Sequence, residues 1–226
     1  MTVVFDGGQT LWDFDGAAVR ALGETRIAIA RATGMPVVSV PSIEQLLRLR
    51  REVGERMRAG ARVACPRRDA FAAALKLMGD DASPDTVDHI TEFFISRRHE
   101  MCRPYLESVP ILTALRETYA VVLLTNANPH LDRIGLRDVF DRVFCAEEVG
   151  MAKPDQNLYR QVAEACGTAM VSVGDSLVDD VLGPQRAGWR AVWINRDGLG
   201  LPHHVKPDAV LNSLGGLDTA LKTIVG

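Results

Sequence analysis

The sequence predicts an α/β protein, with a Rossmann-like, doubly wound parallel sheet as its core and an α-helical domain inserted into that core. Three observations support this fold class. After residue 104, short aliphatic and β-branched runs alternate with helical segments, which is typical of a parallel sheet covered on both faces. Another such run lies at residues 2–5. Between them, residues 16–103 have helical periodicity and almost no strand pattern, which indicates an insertion.

The N-terminal half begins with one strand and continues into the inserted helices. The run Thr2–Phe5 is β-branched and aromatic and ends at Asp6-Gly7-Gly8, which predicts a buried strand followed by a tight turn. We expect an α/β domain formed by residues 1–15 and 104–226 and a helical domain formed by residues 16–103. Periodicity and intervening prolines predict the inserted helices at residues 17–32, 43–59, 69–78 and 85–101.

The C-terminal half alternates regularly between strand and helix patterns, which places its strands in one parallel sheet with the first strand. Each strand pattern is a short aliphatic run that ends at polar or glycine residues. The predicted strands are at residues 120–124, 142–145, 170–173, 191–194 and 208–211. The predicted helices are at residues 108–117, 129–136, 155–166, 177–187 and 217–224.

The composition limits the classes of protein to which this chain can belong. The chain has 226 residues and a net charge of −3, which predicts neither nucleic-acid nor membrane binding. No apolar run approaches the roughly 18 residues of a membrane span, and no basic leader precedes the first strand. The four cysteines are widely spaced, which indicates reduced thiols rather than disulfides or a zinc site. We expect a cytoplasmic monomer or homodimer.

Polar residues follow several of the predicted strands. Open α/β sheets bind ligands beyond the carboxyl ends of their strands, so the topology predicts that acids, a hydroxyl, an amide and a lysine meet at one edge. The lysine lies in the loop before the helix predicted at residues 155–166. The candidates are Asp6 after the first strand, Thr125 and Asn126 after the second, Lys153 in that loop, and Asp175, Asp179 and Asp180 after a later strand.

This set of side chains suits the transfer of a phosphoryl group. A phosphate ester repels an anionic nucleophile unless nearby cations offset its charge. Mg²⁺ binds through one or two carboxylates plus phosphate oxygens, so Asp6 and Asp175 are candidate ligands. Lys153 would add a positive charge near the phosphoryl oxygens, and Thr125 and Asn126 would donate hydrogen bonds to them. Attack by Asp6 would give an acyl-phosphate that water then hydrolyses.

The sequence around these residues resembles the haloacid dehalogenase superfamily. Four stretches match that family's motifs in the right order, and the helical insertion lies where the family carries its cap domain. The resemblance extends over nearly the whole chain. The four stretches are residues 5–11 (FDGGQTL), 124–126 (LTN), 150–155 (GMAKPD) and 173–180 (VGDSLVDD).

The resemblance implies a Mg²⁺-dependent phosphatase that acts on a small phosphorylated metabolite. It makes Asp6 the nucleophile and a metal ligand, and it makes Asp175 a second metal ligand. It also implies that Thr125 and Lys153 hold the phosphate. Either Asp179 or Asp180, the acids that end the last motif, would support the metal shell.

One position departs from the family pattern. Phosphatases of this family usually carry an acid two residues after the nucleophile, where it protonates the leaving group and activates water. Here that residue is Gly8, which has only a backbone carbonyl to offer to the metal. General acid–base catalysis contributes about 10²- to 10⁴-fold, so we expect a slow phosphatase.

Several explanations of Gly8 stay open. The glycine could be an incidental or engineered loss, or a cap residue or the substrate could supply the proton. The enzyme could instead be similar to phosphonoacetaldehyde hydrolase, with Lys76 as its Schiff-base lysine. A dehalogenase proper is another alternative, against which Asp175 and Asp180 argue. Two further alternatives are a non-catalytic protein that binds phosphorylated ligands and, as in mutases of the same family, transfer of a phosphoryl group within a sugar phosphate, which Gly8 also disfavours.

Three residues are candidates for substrate recognition. The inserted domain is rich in arginine, a pattern that usually forms a solvated helical face. Glycine and proline residues flank Arg62 and Arg67, so these two arginines could contact an anionic substrate from a loop. Thr10, within the first motif, is the third candidate.

Overall fold

The computed structural model describes residues 1–58, 66–126, 131–167 and 170–225. The chain divides into two compact units. The α/β unit consists of Met1–Phe14 and Cys102–Gly226, and the helical unit consists of Asp15–Met101. Within the described ranges, no helix combines the length and the apolarity needed to cross a bilayer.

A six-stranded parallel sheet forms the centre of the α/β unit, which confirms the predicted fold class. The strand order is β3-β2-β1-β4-β5-β6. Strands β2 and β3 therefore lie on one side of β1, and β4, β5 and β6, which come later in the chain, lie on the other side. This reversal is the switch point at which open α/β sheets bind ligands. The strands are β1 Thr2–Phe5, β2 Ala120–Thr125, β3 Arg142–Cys145, β4 Met170–Gly174, β5 Arg190–Ile194 and β6 Ala209–Leu211.

The central strands are aliphatic because the interior covers both of their faces. All of β1 and β4 is buried, and β2 is buried from its second residue onward. A parallel strand covered on both faces gives a continuous hydrophobic run rather than an alternating one. The edge strand β6 is only partly buried and has three residues. The site at the switch point therefore rests on the most buried strands of the sheet.

The described residues of the helical unit contain four α-helices. They pack around Phe71 and Phe94, whose rings meet edge to face with their centroids 5.5 Å apart. The second helix begins with a capping box, in which the backbone N–H of Ser42 donates to the Gln45 side chain and that of Gln45 donates to the Ser42 hydroxyl. Its predicted end at residue 59 lies outside the described residues. The helices are α1 Phe14–Thr33, α2 Ile43–Arg58, α3 Pro66–Leu77 and α4 Pro84–Met101.

The helix predicted at residues 177–187 is divided in two. Leu177–Leu182 is π-helical, and the backbone N–H of Gly183 bonds to the carbonyl of Val178, five residues earlier. Pro184 has no N–H to donate, so it cannot continue regular α-helical bonding at this point. The predicted start of the helix at residues 129–136 lies outside the described residues, and its predicted end is wrong, because the helix stops at Ile134 before Gly135, whose φ is 70°. The α-helices of this unit are α5 Ser108–Leu115, α6 Leu131–Ile134, α7 Ala146–Val149, α8 Gln156–Cys166, α9 Gly183–Arg186 and α10 Leu217–Val225.

Candidate active site

The central strands bring two carboxylates to the same edge of the sheet. Phe5 of β1 aligns with Val173 of β4, and the backbone N–H of Asp6 donates to the Val173 carbonyl at 2.9 Å. Because these strands are parallel neighbours, Asp6 and Asp175 leave the sheet at the same edge. One carboxylate oxygen from each, and one from Asp180, lie within 4.8 Å of one another. These three aspartates form the acid cluster.

The place of Asp180 in the acid cluster depends on a glycine and on the turn that follows β4. The backbone N–H of Ser176 donates to the Asp180 carboxylate at 3.0 Å, and the Asp180 N–H donates to the Ser176 carbonyl at 2.8 Å. A Cβ atom on Gly174 would collide with the Asp180 carboxyl group. Only glycine therefore lets this buried side chain lie against the end of β4.

A buried lysine lies between two of these carboxylates. The Nζ of Lys153 donates to Oδ1 of Asp6 at 2.6 Å and to Oδ1 of Asp180 at 2.7 Å, and its side chain is 3% exposed. Asn126, after β2, accepts a hydrogen bond from the Lys153 N–H at 2.8 Å and donates one to the Lys153 carbonyl at 3.0 Å. The loop that carries the lysine is thereby fixed on both sides of the residue.

The charges around the acid cluster are not balanced. Three carboxylates and one ammonium group leave two negative charges. Burial, followed by the charges of Asp6 and Asp180, raises the pKa of Asp175 to about 7. Burial also raises the pKa of Asp180, although Lys153 opposes that shift. Burial disfavours the Lys153 charge, but Asp180 and Asp6 outweigh it and raise the pKa of the lysine.

The acid cluster fits a divalent cation. Its oxygens are the hard donors that Mg²⁺ and Ca²⁺ take, and they already lie within 4.8 Å of one another. One divalent ion would offset the two uncompensated charges, and it would favour the ionised carboxylates against the burial and mutual repulsion that raise their pKa values. Asp6, Asp175 and Asp180 are the residues that would hold it.

An arginine that the sequence analysis did not single out holds the loop after β1. The Arg196 guanidinium donates to the carbonyls of Gln9 at 3.0 Å and Thr10 at 2.9 Å. It also forms an ion pair with Glu107 at 2.8 Å and lies 3.7 Å from the centroid of the Tyr105 ring. Arg196 lies two residues beyond the end of β5, so reading the residues after every predicted strand could have found it.

Comparison with known proteins identifies the family of this chain. The family model for haloacid dehalogenase-like hydrolases matches residues 1–188. The chain belongs to this family. As a family member, it resembles the pyrimidine 5′-nucleotidase YjjG of Escherichia coli, with 32% identity over 58% of this chain, and a phosphoserine phosphatase of Thermus thermophilus, with 37% identity over 58% of this chain. The matched segments span 63% and 55% of those two proteins.

A solved structure of the same family covers the whole fold. The crystal structure of a 2-haloacid dehalogenase from Pseudomonas syringae pv. Tomato is 31% identical, with a TM-score of 0.75, and the match covers 99% of this chain and 100% of that one. The relatives of this haloacid dehalogenase-like hydrolase therefore include proteins named as phosphatases and one named as a dehalogenase.

The predicted site residues of this family member lie either at the switch point of the α/β unit or in the helical unit. The residues at the switch point come first. Thr125 is the last residue of β2 and is buried. It therefore lies at the same edge of the sheet as the acid cluster and Lys153. The carboxylate of Asp179 lies outside the acid cluster, and its backbone N–H bonds to the Ser176 hydroxyl. Adjacent residues of a helical turn point in different directions, so Asp180 alone reaches the cluster.

Two residues predicted to contact the substrate also have contacts within the protein, and their contact with a substrate stays a prediction. The Asn126 amide bonds to the backbone of Lys153, as described above, and so positions the lysine. Thr10 is fully buried, and its hydroxyl donates to the Asp175 carboxylate at 3.4 Å, so it positions an acid of the cluster. Gly8 forms an isolated bridge with Trp12, and the contact of its carbonyl with a metal stays a prediction.

The remaining candidates belong to the helical unit. Arg67 lies in the first turn of α3 and is partly buried. Lys76, the candidate Schiff-base lysine, is exposed in the last turn of that helix. Arg62 lies outside the described residues.

Proposed function

We propose that this chain hydrolyses small phosphomonoesters through an aspartyl-phosphate on Asp6, with Mg²⁺ as cofactor. The observation that carries the proposal is the position of Lys153, whose ammonium group lies within 2.7 Å of both Asp6 and Asp180. A nucleophilic carboxylate held beside a buried cation, with a divalent-ion site completed by Asp175, has the charges that attack on a phosphate dianion requires. Phosphatases among its relatives also support the proposal.

The chain's own residues divide the work in the first step. A carboxylate oxygen of Asp6 forms a bond to phosphorus while the bond from phosphorus to the ester oxygen breaks. Lys153 offsets negative charge on the phosphoryl oxygens, and Thr125 would donate a hydrogen bond to one of them. Bound Mg²⁺ would supply further charge neutralisation. Water then attacks the aspartyl-phosphate, which releases inorganic phosphate and regenerates Asp6.

Because residue 8 is glycine, the rate of bond cleavage depends on how stable the leaving group is as an anion. A glycine cannot donate a proton to the ester oxygen as its bond to phosphorus breaks, so that oxygen must leave as an anion or take a proton from water. A nitrophenolate is stable as an anion, whereas an alkoxide is not. We therefore expect p-nitrophenyl phosphate to phosphorylate Asp6 much faster than an alkyl phosphate such as glycerol phosphate does, which a burst of nitrophenolate would reveal.

The test restores the missing acid. A Cβ atom at Gly8 would lie 3.5 Å from the Cβ of Phe14, an ordinary contact, so the first side-chain atom of an aspartate meets no clash there. In single-turnover measurements, we expect Gly8→Asp to raise the rate of glycerol release from glycerol phosphate by about 10²- to 10⁴-fold and the rate of nitrophenolate release from p-nitrophenyl phosphate by much less. Phosphate release is measured with Mg²⁺ and with EDTA.

Gly8→Asn is the matched control, because it has the size of aspartate but no acidic proton. Asp6→Asn tests the nucleophile and should abolish turnover in both backgrounds. An equal gain from Gly8→Asn would show that shape, not proton transfer, limits the rate. Release of no phosphate from either ester by the wild-type chain and by Gly8→Asp would instead support the non-catalytic alternative, a protein that only binds phosphorylated ligands.

A dehalogenase is the second candidate, and the 31% identity to a protein named 2-haloacid dehalogenase favours it. In that reaction the Asp6 carboxylate would displace chloride from carbon, and no proton donor would be needed at position 8. The two uncompensated negative charges of the acid cluster indicate a bound cation, which argues against a dehalogenase. Chloride release from 2-chloropropionate in the presence of EDTA, without phosphatase activity, would establish the dehalogenase instead.

A further inference from the structure

A groove on the surface of the helical unit runs between α1 and α4 and has a volume of about 620 Å³. Helix α1 contributes Ile27, Ala28 and Ala32 to its walls, and α4 contributes Phe93 and His89. Ile27 is 44% exposed, although isoleucine is among the residue types most often buried. Single exposed apolar residues are ordinary, so the groove alone indicates no partner. The charged residues that line it, and their spacing along α1, indicate what fits there.

The two charged residues of the groove on α1 are Glu24 and Arg31, which lie two helical turns apart. Arg97 of α4 donates to both carboxylate oxygens of Glu24, at 2.5 and 3.0 Å, and it also pairs with Glu100. These three side chains leave one negative charge. Arg31 is exposed, and within the described ranges no acid pairs with it. The groove therefore has a negative group at one end and a positive group at the other.

The spacing of these residues makes this face of α1 complementary to itself. Glu24, Ile27, Ala28 and Arg31 share one helix face, because residues three and four apart are neighbours on a helix. When two identical helices pack antiparallel about a two-fold axis, each pair of facing residues occurs twice. With the axis between Ile27 and Ala28, Glu24 of each copy faces Arg31 of the other. Both ends of the contact then join opposite charges.

The centre of this face is apolar, and the residues around it are small. In the antiparallel arrangement, Ile27 of each copy enters the groove of the other, against Ala28, Ala32 and Phe93. Ala32 lies opposite Gly23 of the other copy, where an added Cβ would meet no atom of its own chain within 4 Å. Glycine and alanine let two helix backbones approach closely, and a side chain of one helix that fits a groove of another is the usual form of helix packing.

We propose that the groove between α1 and α4 binds the same face of a second copy of this chain, which gives a symmetric dimer. Each copy buries its Ile27, and each Arg31 pairs with Glu24 of the other copy. A carboxylate has about four acceptor positions, so Glu24 keeps Arg97 and accepts from a second arginine. A contact along one helix is small for a stable interface, so we expect a dissociation constant on the order of micromolar. The association does not depend on the proposed hydrolysis.

The oligomeric state of the whole chain in solution tests the proposal. At concentrations below and above the expected constant, sedimentation equilibrium should show a 24.7 kDa monomer in exchange with a species of twice that mass. Ile27→Glu should weaken the association by about 10²-fold or more, because it places two like charges at the centre of the interface. Leu77→Glu is the matched control, since Leu77 is an exposed apolar residue at the end of α3, outside the groove; it should leave the constant unchanged.

Charge reversal tests the pairing of Glu24 with Arg31. In Arg31→Glu and in Glu24→Lys, like charges face each other at both ends, so each variant alone should associate about tenfold or more weakly than wild type. An equal mixture of the two variants should form a mixed dimer, because every facing pair then has opposite charges. Glu24→Lys also meets Arg97 within its own chain, so the melting temperature of each variant is measured first. Ile27→Glu tests the same face without that complication.

Three results would overturn the proposed dimer. The first is a wild-type chain that stays monomeric throughout the concentration range. The second is a dimer that Ile27→Glu leaves intact, which would mean that another surface forms the contact. The third is a mixture of Arg31→Glu and Glu24→Lys that associates no better than either variant alone, which would exclude the two-fold pairing.

Discussion

Each unit of the molecule groups side chains of one charge. The acid cluster of the α/β unit is negative, and the arginine pair of the helical unit, Arg50 and Arg67, is positive. The acid cluster has three carboxylates, and one lysine pairs with two of them. In the arginine pair, Arg50 and Arg67 line one cavity, and the exposed Asp15 partly offsets the positive charge at Arg50. Both arrangements are electrostatically unfavourable as they stand. The comparison teaches that uncompensated charge indicates a ligand only where the surroundings also fit one. The acid cluster supplies oxygen ligands to a cation, whereas the walls of the cavity beside the arginine pair are almost entirely apolar.

The two clusters differ in how firmly the backbone holds them. Asp6 and Asp175 follow adjacent buried strands, and Asn126 bonds to the Lys153 backbone from both sides. Arg50 and Arg67 are long side chains on two helices, and no described backbone group holds either guanidinium. We therefore expect substitutions in the α/β unit to change catalysis strongly.

Removal of the lysine should have the largest effect, because it turns the acid cluster into a purely anionic site. Lys153→Met should lower kcat by about 10²- to 10³-fold, the cost of losing one preorganised electrostatic contact. It should also destabilise the metal-free protein, because two buried carboxylates lose their partner, and Mg²⁺ should restore part of that loss. Phosphate release and melting temperature, each with Mg²⁺ and with EDTA, provide the measurements.

Lys222→Met is the control for that variant, since Lys222 forms an exposed ion pair with Asp218 on α10. Such pairs contribute little, so activity should be unchanged. Wild-type turnover in Lys153→Met would remove the main support for phosphoryl transfer at this site.

A smaller effect is expected where the backbone support of the acid cluster is weakened. Arg196→Met removes the donors that hold the carbonyls of Gln9 and Thr10, and the Thr10 hydroxyl in turn contacts Asp175. We expect kcat to fall by about tenfold, with little change in KM, because a misplaced site loses rate before it loses binding. A titration of activity with Mg²⁺ should show weaker metal affinity.

Arg196→Lys should recover only part of the rate, because lysine cannot donate to two carbonyls from a planar fork. Arg190→Met is the control, since the Arg190 side chain is 65% exposed at the start of β5. An equal loss of kcat in Arg190→Met would mean that Arg196 acts through general stability rather than through the loop after β1.

The smallest effect concerns stability and pH in the metal-free acid cluster. The pKa of Asp175 is raised to about 7 in the folded chain, from about 3.9 when unfolded. The folded state therefore binds the extra proton between these values, and the free energy of unfolding falls as the pH rises from about 4 to about 7. Asp175→Asn removes this titration and should raise the melting temperature in EDTA at about pH 8, by about 2–4 °C for each kcal/mol relieved.

At about pH 4 the same substitution should change the melting temperature little, because Asp175 is then protonated in the folded chain. With Mg²⁺ at about pH 8 the order should reverse, because the wild type keeps a metal ligand that Asp175→Asn lacks. An identical shift at both pH values would show that packing, not charge, sets the effect.

The sequence by itself determined the fold class and most of the acid cluster. Buried parallel strands are continuous aliphatic runs, so β1, β2 and β4 were recognisable, and the residues after them included Asp6, Thr125 and Asp175. The order of strands then placed these residues at one edge. Local pattern also revealed most helices of the helical unit, since prolines and capping residues mark their ends.

Only the tertiary structure decided which residues of the motifs enter the site and which hold those residues in place. Asp180 rather than Asp179 joins the acid cluster because Gly174 leaves room for its carboxyl group. Asn126 and Thr10 bond to the protein, and Arg196 reaches the first loop across 186 residues of sequence. Sequence patterns indicate which residues are buried and whether a segment is a strand or a helix. The direction of a side chain and its long-range contacts depend instead on how separate elements pack.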